Sequence, residues 1–251
     1  MRTWSATEPA PAQHSQERLH TAAVRLARTL PSSDTPPVVG VVRGWSRADR
    51  DRARTLRRFL AAHGVRSTDV TPVPRRAQHA SGQHGPDRPE ADLLVHTGGP
   101  GPEEAMRAAA LWRLPLLIGH PGQHGHPEQD TLRAYRRPVI AARLAQGQSE
   151  LGVREAAVIP LQPAADRAAN LLLDEEKITL PGDQPLRIRL TDNDDLLQVD
   201  GPAFGVRRVR ALSLDGTWGA CRLDVDGLPA RDVREGLHME SQPGRLHLLH
   251  P

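Results

Sequence analysis

Ala91-Asp92-Leu93-Leu94-Val95 runs into Thr97-Gly98-Gly99-Pro100-Gly101-Pro102, and a helical stretch from Glu103 to Trp112 follows at once. A short apolar strand, a glycine-rich turn and a helix in this order form the unit from which parallel α/β sheets are built. Such a turn points backbone N–H groups outward at the positive end of a helix dipole, which makes it a phosphate site in principle. Thr97, Gly98, Gly99 and Gly101 are therefore the candidate contacts to a nucleotide. Glu103 and Glu104 suit the dipole but would repel a bound anion, and the same glycines also serve a plain tight turn.

The flanking segments extend the α/β pattern. Met1 to His14 is polar and proline-containing, and is expected to be disordered. Ser15 to Leu30 carries Leu19, Ala23, Leu26 and Leu30 on one helical face, an amphipathic helix expected to pack on the body. Pro31 to Pro37 reads as a linker. Val38-Val39-Gly40-Val41-Val42 is the apolar, β-branched run of a buried parallel strand. A helix is predicted from Ser46 to His63, with Ala53, Leu56 and Leu60 on one face and Arg50, Arg54, Arg57 and Arg58 on another, closed by a cap at His63-Gly64. Val70 to Val73 reads as a second strand, residues 75–90 as a loop, and Leu114 to Ile118 as a fourth strand.

Beyond residue 150 the rhythm changes. Short strand-like pieces recur at 178–180, 186–190, 196–200, 206–214, 220–225, 237–240 and 246–249, and Leu186-Arg187-Ile188-Arg189-Leu190 alternates strictly. Asp215-Gly216 and Asp226-Gly227 are turn signals. The predicted architecture is an α/β N-terminal domain with a parallel sheet, followed by a mainly antiparallel β C-terminal domain. The expected boundaries are 1–36 for the tail, helix and linker, 37–147 for the α/β domain, and 148–251 for the β-rich domain.

Composition narrows the function. The 251 residues hold 33 basic and 30 acidic side chains, for a net charge of +3, and one cysteine. A lone cysteine excludes an internal disulfide and a Cys-based zinc or iron–sulfur site. No apolar run reaches membrane-spanning length and no secretory core is seen near Met1, so the expected compartment is the cytoplasm. Every basic residue except Lys177 is arginine, and the balance is +7 over residues 1–150 against −4 over 151–251. A lysine-based phosphate clamp in the α/β half is thereby excluded; arginine or backbone must hold any phosphate there.

The order of α/β half, glycine turn after an Ala-Asp-Leu-Leu-Val strand, and β half resembles the diacylglycerol kinase-like lipid kinases, and more distantly the NAD kinases of the same superfamily. Their hallmark is Gly-Gly-Asp-Gly-Thr, where this chain has Gly98-Gly99-Pro100-Gly101-Pro102. Leu114-Pro115-Leu116-Leu117-Ile118 and Pro121-Gly122 look like the family's next strand and turn, and Ala141 to Gly147 looks like its helix ending in glycine. Asn193-Asp194-Asp195-Leu196-Leu197-Gln198-Val199 is similar to an Asp-Gly-Leu-Leu-x-Val strand. Val225-Asp226-Gly227-Leu228-Pro229 resembles an Asp-Gly-Glu-Pro turn. The resemblance spans roughly residues 38–251.

It implies ATP-dependent phosphorylation of a lipid hydroxyl with ATP and magnesium. The acids that the family uses for metal and proton handling are replaced by Pro100 and Leu228, so a weakened or lost activity is expected, with a nucleotide-, anionic lipid- or partner-binding role retained. Asp194 and Asp226 are the acids that survive at matched motifs, and both also suit turns. His120, His124 and His126, near Glu128 and Asp130, have spacing suited to zinc, or to a polar loop in a chain with 12 histidines. Ten arginines against three acids between Arg43 and Arg76 leave a nucleic-acid-binding alternative, and a homo-oligomer is also allowed.

Overall fold

The structure is a computed structural model that describes residues 11–30, 35–70, 88–97, 102–119, 132–145, 147, 149–161, 168–191, 194–215 and 219–251. Its first part contains α1 (Pro11–Thr29), β1 (Val38–Val42), α2 (Arg47–Ala62), β2 (Arg66–Val70), β3 (Leu93–His96), α3 (Pro102–Trp112) and β4 (Leu116–Ile118). The four strands are parallel in the order β2-β1-β3-β4. β1 is buried throughout because both of its faces are covered. Val39, Val41, Leu93 and Val95 face a core shared with α1 and α2, and Val42 and Leu94 face one shared with α3. A Cβ on Gly40 would lie 2.8 Å from Leu94 and 2.9 Å from Val70, so the strand must be side-chain-free there.

α1 packs on the body through Leu19, Ala23, Val24 and Ala27, and it starts at Pro11, four residues before the predicted Ser15. α2 is closed at both ends by local chemistry. Ser46 and Asp49 form a capping box: the Asp49 N–H donates to Ser46 Oγ at 3.0 Å, and the Ser46 N–H donates to Asp49 Oδ2 at 3.1 Å. At the other end Gly64 adopts φ +73°, and the N–H groups of Gly64 and Val65 donate to Ala61 and Leu60, the two bonds of a Schellman cap.

The second strand departs from the prediction. It occupies Arg66–Val70 rather than Val70–Val73, of which residues 71–73 lie outside the described set. β2 is an edge strand, so only Val70 is buried and Arg66-Ser67-Thr68-Asp69 carries no apolar signal.

Twelve further strands follow: β5 (Arg133–Leu144), β6 (Ser149–Gly152), β7 (Glu155–Pro160), β8 (Ala168–Leu173), β9 (Glu176–Pro181), β10 (Leu186–Leu190), β11 (Leu197–Gly201), β12 (Gly205–Val209), β13 (Ala211–Leu214), β14 (Cys221–Val225), β15 (Leu228–Val233) and β16 (Leu237–His250). The predicted strand 206–214 is two strands in different sheets. The chain crosses between sheets at Arg210, where the N–H groups of Arg210 and Ala211 both donate to Asp174 at 2.9 Å. β7, β10, β11, β12, β14 and β15 form a six-stranded antiparallel sheet, and the others join the ten-stranded sheet that contains β1 to β4.

The likeness of Ala141–Gly147 to a family helix is overturned. Residues 133–144 are a strand paired antiparallel with β16 over most of its length. Val139 and Ala141 point into the core shared with α3, whereas Ile140 and Ala142 point into the core between the two sheets. A strand wedged between two cores loses its alternation and, being alanine-rich, imitates a helix. β16 does the same on a larger scale: it begins beside β13 and ends parallel to β4, through Leu248 opposite Leu116.

Candidate functional site

β1, β3 and β4 end on one edge of the parallel sheet. In open α/β sheets, ligands bind in the crevice outside such strand ends. β1 leads through Arg43 and Gly44 to the α2 cap, and β3 leads through His96 and Thr97 towards α3. Gly98, Gly99 and Gly101 lie outside the described residues, as do His120, His124 and His126. Thr97 is buried; its N–H donates to the Val42 carbonyl at 3.2 Å and its hydroxyl to the same oxygen at 3.4 Å. Those bonds fix the strand end and leave the hydroxyl lone pairs as acceptors.

Two polar side chains that the sequence did not single out sit beside it. His96 is 5 % exposed. Burial holds its imidazole below the ordinary value, with Asp49 and Glu103 acting in the opposite sense and Arg52 in the same one. Asp49 is also buried, and burial alone would raise its carboxyl; the Ser46 hydrogen bonds and the Arg52 guanidinium outweigh that and keep it below the usual carboxylate range. Both signals were present in the sequence as an Asp three residues after Ser46 and a His ending an apolar run.

α3 faces the six-stranded sheet through Glu103 and Arg107, which share one helix face at i, i+4 spacing. Glu103 pairs with Arg154 at 3.0 Å, and Arg107 pairs with Asp226 at 2.8 Å. Asp226 and Gly227, with φ of 51° and 78°, form the β14–β15 hairpin turn read from the sequence. The Asp226 carboxylate is 1 % exposed. It accepts from Arg107 and from the backbone N–H groups of Val153, Arg154 and Glu155 at 2.9–3.2 Å. Oδ1 accepts from Arg154, Glu155 and Val153, and Oδ2 accepts from Arg107 and shares the Val153 N–H.

Asp194 lies at the same end of this sheet, in the β10–β11 turn, where Thr191 donates to it and Arg208 stands 3.4 Å away. β10 and β7 separate its turn from that of Asp226. Three inter-strand spacings put the turn centres about 14 Å apart, too far for one metal ion to bridge. Among the described residues no group of three or more His, Cys, Asp or Glu side chains is placed to hold a metal. Asp194 and Asp226 therefore do not share one magnesium ion. Lys177 lies in β9, at the far end of the ten-stranded sheet.

No helix among the described residues is long and apolar enough to cross a membrane. No family model and no curated protein matches the sequence. Solved structures do match the fold. The yeast NADH kinase aligns over 85 % of this chain and 82 % of its own, at 11 % identity with a TM-score of 0.60. An NAD kinase from Archaeoglobus fulgidus aligns over 84 % of this chain and 92 % of its own, at 13 % identity and 0.54. With four parallel strands flanked by helices, an antiparallel β part and a last strand returning to β4, the chain has an NAD kinase-like fold, an α/β N-terminal part followed by a β C-terminal part.

Proposed function

We propose that this chain binds a nucleotide at the C-terminal edge of its parallel sheet and has lost phosphoryl transfer. The observation that carries this is Asp226: its carboxylate, 1 % exposed, is held by Arg107 and by the backbone N–H groups of Val153, Arg154 and Glu155, the arrangement of a structural tie shut off from solvent. The neighbouring sequence positions that resemble the family's acids hold Pro100 and Leu228, which bind neither a metal nor a proton. Gly98, Gly99 and Gly101 before α3 support retained phosphate binding. Two structural neighbours are complexes with NADH and with ATP, which favours a nucleotide over a lipid ligand.

Thermal unfolding with ATP, ADP, NAD and NADH, each with and without magnesium, tests the binding half. A nucleotide at a hundred times its Kd is expected to raise the Tm by about 5–10 °C. The transfer half is tested by ADP release from ATP with NAD or diacylglycerol as acceptor, for which no release above a protein-free blank is expected. A measured turnover overturns the loss of transfer, and indifference to all four nucleotides overturns the binding role.

A further inference from the structure

A groove of about 550 Å³ lies on the opposite flank, between α2 and the edge strand β2. Its rim carries Arg43, Arg50, Arg54, Arg57, Arg58 and Arg66 against a single acid, Asp69, and Ala53 and Val65 contribute to its floor. Arg50, Arg54, Arg57 and Arg58 recur at i, i+4, i+7 and i+8, one stripe beside the buried face of Ala53, Leu56 and Leu60. Arg43 is spent on Asp69 at 3.1 Å, and Arg54 on Asp51 at 3.0 Å. Arg57 and Arg58 are exposed and have no hydrogen-bonding or ion-pair partner among the described residues. Like charges at these spacings weaken a helix. Arg57 and Arg58 therefore cost stability and make no bond among the described residues in return.

We propose that this groove binds the backbone of a single-stranded nucleic acid. From Arg50 to Ala61 the groove follows α2 for roughly 16 Å, at 1.5 Å per residue. That exceeds the reach of one phosphate and matches several successive ones. The surface is concave, set between a helix and a sheet edge, so a strand can lie in it while a flat bilayer would meet only its rim. Trp45, two residues before α2, is 60 % exposed, and its carbonyl accepts from Nη1 of the groove residue Arg50 at 3.1 Å. An exposed aromatic residue joined to a cationic groove is the pairing that holds unpaired bases by stacking and their backbone by charge.

Anisotropy of a labelled oligothymidylate of about twenty nucleotides tests this, with a duplex of equal length and phosphatidylserine vesicles as the other arms. About three neutralised phosphates, the number that roughly 16 Å of extended strand presents, predict about a twentyfold loss of affinity between 50 and 200 mM salt. The double variant Arg57→Ala, Arg58→Ala is expected to bind about fiftyfold more weakly at 50 mM salt, with a log–log slope shallower by about 1.4. Trp45→Ala is expected to lose about tenfold. Arg187→Ala with Arg207→Ala removes the same charge from the β part and should leave binding unchanged. The proposal is overturned if the two double variants behave alike, if the duplex or the vesicles bind more tightly than the oligothymidylate, or if no binding occurs at 50 mM salt.

Discussion

Arg107 on one flank of the parallel sheet and Arg57 with Arg58 on the other use arginine in opposite ways. On the α3 flank, the buried Arg107 is tied to Asp226, and Arg231 is tied to the buried Glu150 at 2.9 Å. On the α2 flank, Arg43 and Arg54 pair with Asp69 and Asp51, while Arg57 and Arg58 are exposed and have no partner among the described residues. The same residue type thus acts as an internal tie on one side and as uncommitted surface charge on the other. Burial decides between them: a guanidinium taken out of water must be matched by a carboxylate, whereas an exposed one needs none.

The largest effect is expected where burial is deepest. Arg107→Ala leaves the Asp226 carboxylate, 1 % exposed, without its charge partner, and should cost about 3–5 kcal/mol. For a chain of this size that is a Tm lower by roughly 10 °C. Asp226→Ala should cost a similar amount and also release the N–H groups of Val153, Arg154 and Glu155. Thermal melts followed by circular dichroism measure both. If Asp226→Ala melts like the wild type, the carboxylate is not a structural tie and regains its standing as a candidate catalytic acid.

This contrast was only half legible in the sequence. The strand and helix within residues 91–112 and the run at Val38–Val42 are readable because buried parallel strands and amphipathic helices carry strong local patterns. β2 was displaced because an edge strand has a polar sequence, and β5 looked helical because two cores bury both of its faces. The Asp226 turn was visible in Asp-Gly, but its tie to Arg107 joins residues 119 apart in the chain, a pairing no local pattern encodes. His96 and Asp49 carry local signals, a His ending an apolar run and an Asp three residues after Ser46, but each becomes a buried polar group only when the elements pack together.

The next expected effect is steric. Gly40→Val places branched methyls where a Cβ already meets Leu94 and Val70 within 3 Å. Overpacking of this kind costs about 1–3 kcal/mol. Urea unfolding measures it, and an unchanged midpoint would mean that the core shared with α3 is loose enough to absorb two methyl groups.

Acid should act through the buried imidazoles before it reaches the carboxylates. His96 and His20 are both held below the ordinary 6.5 by burial. On acidification the unfolded chain takes up these protons first, so stability falls as pH drops below 6.5 and levels off below the folded values. Asp49 and Glu240, both lowered, add a second loss at more acidic pH, below 3.8 and 4.5. Urea midpoints between pH 7.5 and 3 should show two stages, and His96→Gln should shrink the first. A single stage confined to pH below 4.5 would place the imidazoles in water.

The smallest effect concerns the uncommitted flank, and its sign matters more than its size. Arg57→Ala with Arg58→Ala removes repulsions with Arg54 at i+3 and i+4 and breaks no bond among the described residues. Relief of like charge at such spacings is worth about 0.2–0.5 kcal/mol per pair. The double variant should therefore melt about 1–2 °C higher than the wild type while binding oligothymidylate more weakly. A gain in stability together with a loss of binding is what separates a charge kept for a partner from one kept for the fold. If the variant instead loses stability in proportion to its binding, the groove arginines are ties like Arg107, and the two flanks are alike.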